Sequence, residues 1–404
     1  MKATGIVVEY NPFHNGHLHH AKKAKQLSGA DIVVAVMSGQ FLQRGEPAFT
    51  DKWTRTEMAL HGGVDLVIEL PYVYATAQAA EFARGAIGLL SALRCDSFCF
   101  GSEQGDINPF LNSLELLSTN REAYDNIIHE RIQTGISYPK ALNDAYLSLT
   151  EGRDGFADLT KPNNILGYHY IEAAHALGSP MTPLTIQRIV AGFHDPLERG
   201  VSIASATGIR NAFFEGENIG HLTPYLPETS IRLLERFHAE QHGFIGWEKI
   251  YPLLRFTILR EGPKALARFA DVTEGIENLI YDAAKRAENF EGFITQVKSK
   301  RFTRTRIQRM LTHIFTGYTQ EESQAVGEPE YIRLLGMTES GRNYLNAQKK
   351  AIPLPLISRA ADLKGPMGQL DIRASMLYLQ AIGAASLKKE YTTPPIYFGA
   401  SSDK

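Results

Sequence analysis

Cysteine is scarce in this 404-residue chain, which has two, and neither sign of charge dominates: 42 Lys and Arg face 44 Asp and Glu, a formal net charge of −2. The two thiols, Cys95 and Cys99, stand in an apolar run that reads as a strand. Four residues of extended chain separate their Cα atoms by about 13 Å, beyond disulfide reach. No second cysteine pair exists to complete a zinc site, so the expectation is buried, reduced thiols. Long hydrophobic runs are also missing. The absence of any stretch of about 18 apolar residues excludes a membrane-spanning helix. Glu9 ends the first apolar stretch too early for a secretory signal, and the expected location is the cytoplasm. There is no internal repeat and no low-complexity segment. The balanced charge leaves no global field to draw the chain onto a polyanion, so any nucleic-acid contact must come from a local concentration of cations.

What is present is ample core-forming material, 44% hydrophobic against 21% charged, enough for two or three domains at about 150 residues each. Over the first hundred residues, apolar strands (4–8, 31–37, 64–70, 97–100) alternate with helices (16–27, 53–60, 76–93). Near-continuous apolar strands between helices predict a parallel sheet covered on both faces. Ligands bind such sheets beyond the carboxyl ends of the strands, where the strand order reverses. The segments to watch are therefore 9–20, 38–46, 70–76 and 101–105. Residues 109–149 and 161–177 read as helical, 182–190 as a strand, and 205–214 as a capped helix. A Pro-spaced run at 223–228 marks a boundary. Helices at 230–241, 247–259, 263–269, 278–290 and 371–384 follow it, with a Pro-interrupted strand at 352–358. The expected fold is α/β: a Rossmann-like parallel-sheet domain over residues 1–222, then a mostly α-helical C-terminal region over 223–404.

The first strand runs into EYNPFHNGHLHH. Neither G-x-G-x-x-G nor G-x-x-x-x-G-K-[ST] occurs there. In their place stands His14-Asn15-Gly16-His17, at a strand–helix junction. A helix N-terminus offers unpaired N–H donors to a phosphate, and Gly16 removes a Cβ where a nucleotide must approach the backbone. Two imidazoles three residues apart can converge on an α-phosphate and stabilise the charge that builds as pyrophosphate is displaced. The spacing is unlike H-E-x-x-H, and no companion carboxylates point to a metal cluster.

GIVVEYNPFHNGHLHH resembles the H-x-G-H signature of the nucleotidyltransferase superfamily. The superfamily's second signature, S-[ST]-T-x-x-R at a helix start, is matched by Ser205-Ala206-Thr207-Gly208-Ile209-Arg210, with Ala206 as the departure. Lys161-Pro162-Asn163-Asn164-Ile165-Leu166-Gly167, Arg188-Ile189-Val190-Ala191-Gly192 and Gly101-Ser102-Glu103 narrow the likeness. With them, essentially the whole chain resembles the tRNA(Met) cytidine acetate ligase family. The resemblance implies activation of acetate by ATP as acetyl-adenylate, then transfer of the acetyl group to N4 of the wobble cytidine of elongator tRNA(Met). It implies ATP binding by Val7, Val8, Glu9, Tyr10, Asn11, Pro12, Phe13, His14, Asn15, Gly16, His17, Leu18, His19 and His20, and by Gly101, Asn163 and Arg188. His14 and His17 are the expected catalytic pair. Mg²⁺ is expected to arrive with ATP, with no dedicated metal site in the protein. The other enzymatic reading is a nucleotidyltransferase that moves AMP or CMP onto a small phosphorylated metabolite.

The residues themselves are compatible with this chemistry. Asn163 offers an acceptor and a donor to adenine or ribose, and would equally serve as a helix N-cap. Arg188 suits a phosphate or carboxylate, or a surface ion pair. Ser205 and Thr207 can cap a helix and bind ATP phosphate together. The cationic patch demanded by the charge balance lies at 292–320, which contains no Asp or Glu. Within it, Ile307, Met310, Leu311, Ile314 and Phe315 have the spacing of one buried helix face. Lys298, Arg301, Arg304 and Arg309 are the expected tRNA contacts, with Phe302 available for stacking.

Overall fold

The computed structural model describes residues 1–136, 138–189, 203–241 and 243–399. β1 (Ala3–Val8), β2 (Ile32–Ser38), β3 (Leu66–Leu70) and β4 (Ser97–Ser102) alternate with α1 (Asn15–Ser28), α2 (Lys52–His61), the single turn α3 (Tyr72–Ala75) and α4 (Ala79–Ala92). Four helices, α5 (Asn108–Thr119), α6 (Arg121–Gln133), α7 (Tyr138–Thr150) and α8 (Pro162–Ala176), precede β5 (Thr182–Gln187) and α9 (Ala206–Phe214). Then come α10 (Glu228–Gln241), α11 (Trp247–Leu266), α12 (Ile276–Arg286), α13 (Phe290–Val297), α14 (Arg304–Thr316) and α15 (Gln320–Gln324). The chain closes with β6 (Ile332–Thr338), α16 (Glu339–Gln348), β7 (Leu356–Ile357), α17 (Gly365–Ala381), α18 (Lys389–Thr392) and β8 (Ile396–Phe398).

The strands form one sheet in the order β5-β4-β1-β2-β3-β6-β7, with β8 also paired to β6. The first five strands are mutually parallel, as expected from their apolar character; every residue of β2 is buried. From β1 the chain builds outward through β2 and β3, then returns to place β4 and β5 on the other side. The order therefore reverses between β1 and β4, and a crevice opens beyond their carboxyl ends. The fold is the expected α/β sheet with a helical C-terminal region. That region also supplies strands. β6 runs antiparallel to β3, with Glu69 opposite Arg333, so the described residues beyond 223 complete the sheet's edge and share its core.

Other expectations shift at the edges. The strand expected at 352–358 shrinks to Leu356–Ile357, because Pro353 and Pro355 have no N–H to give a ladder. The helices expected at 247–259 and 263–269 form one element bent at Gly262, whose φ is 70°. The helix expected at 278–290 stops at Arg286, and α13 begins after Asn289, which accepts the Gly292 N–H. Cys95 and Cys99 are both buried and free. Among the described residues no helix is long and apolar enough to cross a membrane.

Candidate active site

The chain leaves β1 through a tightly bound turn. Tyr10 adopts φ 51°, in the left-handed region, with its ring buried edge-on to Phe13 and His17. The Asn11 side chain accepts the Phe49 N–H at 2.6 Å, and Arg55 donates to the Glu9 carbonyl at 2.7 Å. These contacts fix where α1 begins. His14 is its N-cap, accepting the Gly16 N–H on Nδ1 at 3.0 Å; the His17 Nδ1 accepts the His14 N–H at 3.2 Å. The two rings stack with centroids 3.8 Å apart. Gly16 is required by this packing: a Cβ there would lie 2.8 Å from the His14 Cε1.

Accepting a backbone N–H at Nδ1 puts the proton of each neutral ring on Nε2. Both rings are held neutral. Burial pushes His14 down to about 3, helped by the charges of Arg188 and Arg210. Burial likewise drives His17 well below the ordinary value, with His14, Arg188 and His20 adding to the drop and the Pro12 carbonyl opposing it. His20 falls to about 4, again mainly by burial and then by Arg188. The pair presents N–H dipoles in a cationic setting, an arrangement that receives an anion without a proton change.

A cavity of about 730 Å³ lies over the crevice between β1 and β4, a volume suited to a nucleotide. It gathers Val7, Val8, Glu9, Tyr10, Asn11, His14, Gly16, His17, His19, His20, Gly101, Asn163, Arg188, Ser205 and Thr207. Four members of the expected run do not line it. Phe13 is core, with its ring against Gly62; Pro12 is buried in the turn, the Asn15 Nδ2 donates to the Pro224 carbonyl, and Leu18 is half-buried and packs against the core. Arg188 follows β5 directly and is tied to β4, its N–H donating to the Ser102 carbonyl at 2.8 Å. Its side chain crosses Gly101 so closely that a Cβ there would meet its Cγ at 2.9 Å. Val190, Ala191 and Gly192 of the Arg188 motif lie outside the described residues.

Asn163 is the second residue of α8; the N-cap is Lys161. A carboxylate caps this helix instead: Glu103 accepts the Asn163 and Asn164 N–H groups at 3.3 and 2.9 Å and the Asn163 Nδ2 at 2.7 Å. Among the described residues the Asn163 Oδ1 meets no protein donor. Ser205 caps α9, accepting the Gly208 N–H at 3.0 Å, so a second helix N-terminus meets the cavity. Arg210, part of the quoted motif but unselected from sequence, joins the two signatures. Its guanidinium donates to the Asn11 carbonyl at 2.8 Å and reaches Glu46 at 3.2 Å and the Thr207 hydroxyl at 3.4 Å. The spacing of the motif held the signal, since a residue one helical turn from Thr207 shares its face.

The basic segment reaches the same cavity through Thr305. Ile307, Met310, Leu311, Ile314 and Phe315 are buried as their spacing predicts. Its arginines are paired with acids from outside the segment. Arg309 is 9% exposed and pairs with Asp271 at 3.4 Å beneath the turn at Gly45, so it presents no surface contact. Arg301 pairs with Glu274, and Arg304 with Glu291. Phe302 is buried beneath the Arg306 guanidinium, 4.8 Å away, and is unavailable for stacking. Lys298 and Lys300 are exposed and have no acidic partner among the described residues.

Comparison with known proteins gives a consistent result. Residues 1–393 match the family described as HIGH Nucleotidyl Transferase. The chain is 55% identical over 401 residues to tRNA(Met) cytidine acetate ligase of Lysinibacillus sphaericus, covering 98% of this chain and 100% of that protein. It is 43% identical to the protein of that name in Bacillus subtilis, over 94% of this chain and 92% of the relative. Among solved structures, it resembles Thermotoga maritima TmcAL bound with alpha-thio ATP, with a TM-score of 0.88 and 33% identity, covering 99% of this chain and 100% of that one. The apo form of the same protein gives 0.89 and 34%, with the same coverage.

Proposed function

The chain belongs to the tRNA(Met) cytidine acetate ligase family of HIGH nucleotidyl transferases, and we propose that its cavity carries out both halves of that reaction. ATP is bound at the crevice between β1 and β4, and acetate attacks its α-phosphorus to give acetyl-adenylate and pyrophosphate. The acetyl group then passes to N4 of the wobble cytidine of elongator tRNA(Met), giving N4-acetylcytidine and AMP. The observation that carries this reading is the stacked pair His14 and His17, neutral and locked through Nδ1, beside Arg188 and at the N-termini of α1 and α9.

Each group has a part in the chemistry. The Nε2–H groups of His14 and His17 donate to the α-phosphate as it gains charge in the displacement. Arg188 neutralises phosphate, while Ser205, Thr207 and the α9 N-terminus hold the departing pyrophosphate. Gly101 and the free Oδ1 of Asn163 serve the nucleoside end. An exocyclic cytosine amine is a weak nucleophile, and an adenylate supplies the leaving group that amide formation needs. The protein's remaining task is to hold the two reactants together and exclude water.

Among the described residues no group of three His, Cys, Asp or Glu could hold a metal ion. Magnesium would come chelated by the ATP phosphates. The anticodon loop approaches over Thr305, where Lys298 and Lys300 meet its phosphates. Arg301 and Arg304 can exchange their weak surface pairs for phosphate. A single-stranded base can then be turned into the cavity.

The test incubates the protein with labelled acetate, ATP and total tRNA. Label is expected in the tRNA fraction only when ATP is present, with AMP and pyrophosphate formed alongside. Absence of acetate-dependent pyrophosphate exchange would overturn the reading.

A further inference from the structure

The cavity has two sides. Gly101, Arg188 and Asn163 approach from β4, β5 and α8; Leu42, Gln43 and Arg44 approach from the segment after β2, with Thr305 of α14 beyond them. The first side holds the groups suited to a nucleotide. The second borders the basic segment, and an acceptor base arriving from the tRNA enters there. Glu9 ends β1 on this second side. Its Oε1 accepts the Gln43 N–H at 2.8 Å, and the Gln43 Nε2 donates to the Ala77 carbonyl at 2.8 Å, so the carboxylate and its loop are fixed together.

Among the described residues two carboxylates line the cavity, Glu9 and Glu46. Glu46 is engaged by Arg210 at 3.2 Å. Glu9 makes no ion pair among the described residues. Of the imidazoles that line the cavity, His14 and His17 are already committed, spending Nδ1 on backbone N–H groups and carrying their proton on Nε2. Resting on the ligase reading above, we infer that Glu9 is the general base of the acetyl-transfer step. The N4 lone pair attacks the acetyl carbonyl carbon and the C–N bond forms. The bond from that carbon to the phosphate oxygen breaks, AMP departs with its electron pair, and the N4 proton passes to the Glu9 carboxylate.

The surroundings tune Glu9 for this work. Burial lifts its carboxyl above the ordinary carboxylate value, the Gln43 N–H pulls it back, Glu46 adds to the rise, and Arg44 and Arg210 oppose it. Arg55 from α2 and Tyr170 from α8 complete the charged and titratable groups that sense it. A carboxylate raised above its ordinary value is a stronger base than one in water, and a positioned base contributes about 10²–10⁴ in rate.

Glu9→Gln keeps the acceptor for Gln43 and removes the basic oxygen. Two rates are read on the full chain: acetate-dependent ATP–pyrophosphate exchange, and single-turnover acetyl transfer to tRNA across pH 5–9. Transfer is expected to fall about 10²-fold or more beyond any change in exchange. The acid limb of the wild-type transfer profile should disappear with it. Equal losses in the two rates, or an unchanged transfer profile, would overturn the role. If Glu9→Gln loses the native circular dichroism, Glu9→Asp decides: a retained acid limb with slower transfer supports the base, and a limb absent from wild type and Glu9→Asp alike refutes it. Absence of acetate-dependent exchange in the wild type is a different result; it removes the ligase reading and the base together.

Discussion

Acidification should destabilise this protein through the buried histidines of its candidate site. His14 is 6% exposed and accepts the Gly16 N–H on Nδ1. Protonating that nitrogen would set two N–H groups against each other and bury a charge beside Arg188 and Arg210. Its value accordingly falls from 6.5 to about 3 on folding. Between those values the unfolded chain binds the proton and the folded chain does not, so stability rises with pH across that window. The contribution is fully present above pH 6.5 and shrinks as pH falls toward 3. At pH 5 the loss from this one residue is about 2 kcal/mol. His313, buried and held down to about 4 mainly by burial, adds a similar loss. The assay is urea unfolding followed by circular dichroism at pH 7.5 and pH 5 for the wild type and for His14→Asn. Asparagine still caps the helix through its side-chain oxygen and does not titrate. The gap between the two proteins should change by about 2 kcal/mol between the two pH values, with the variant losing less on acidification. Parallel pH dependence in the two would refute the reasoning, because it would mean that His14 takes up its proton equally in both states.

Gly16→Ala places a methyl group 2.8 Å from the His14 Cε1; adenylation should fall about 10²-fold with the urea midpoint little changed, and normal acetate-dependent exchange would contradict it. Lys298→Glu with Lys300→Glu should weaken tRNA binding and reduce the salt dependence of log K by about one to two, measured by filter binding from low to physiological salt. Arg309→Met, at a buried position, should change the urea midpoint and leave that slope as it is. Lys52→Met strands Glu69 and Glu390, which the Lys52 ammonium meets at 2.7 and 2.9 Å in the interior. It should cost about 3–5 kcal/mol in urea unfolding, and an unchanged midpoint would show that the cluster is solvated.

Legibility in the sequence follows the range of the interaction that creates each feature. β1 to β4 were readable because a parallel strand covered on both faces must be apolar at nearly every position. The first half of the site was readable because His14, Gly16 and His17 make their contacts within one helical turn. β6 carries an equally apolar run, IRLLGMT, but its place in the sheet depends on pairing with β3, some 260 residues earlier in the chain. Glu9 looked like one more member of a loop. Its difference from Glu46 lies in where Arg210 points, which is set by the packing of α9.

The basic segment shows the same division within one stretch. Its apolar face was legible because helical spacing is local, and the pairing of its arginines was not, because their partners lie elsewhere in the chain. Absence of acid from 292–320 says nothing about what folds against that stretch. Asp271 and Glu274 arrive from the turn before α12, and Glu291 from the first turn of α13; together they engage Arg301, Arg304, Arg306 and Arg309. Among the described residues Lys298 and Lys300 have no acidic partner, and Arg44 stands exposed on the side of the cavity that the basic segment borders. A net charge of −2 is thus compatible with a polyanion partner when a few cations of one segment remain unpaired. Attraction is then weak away from those cations, and so local a patch lets a bound polyanion dissociate at cellular salt.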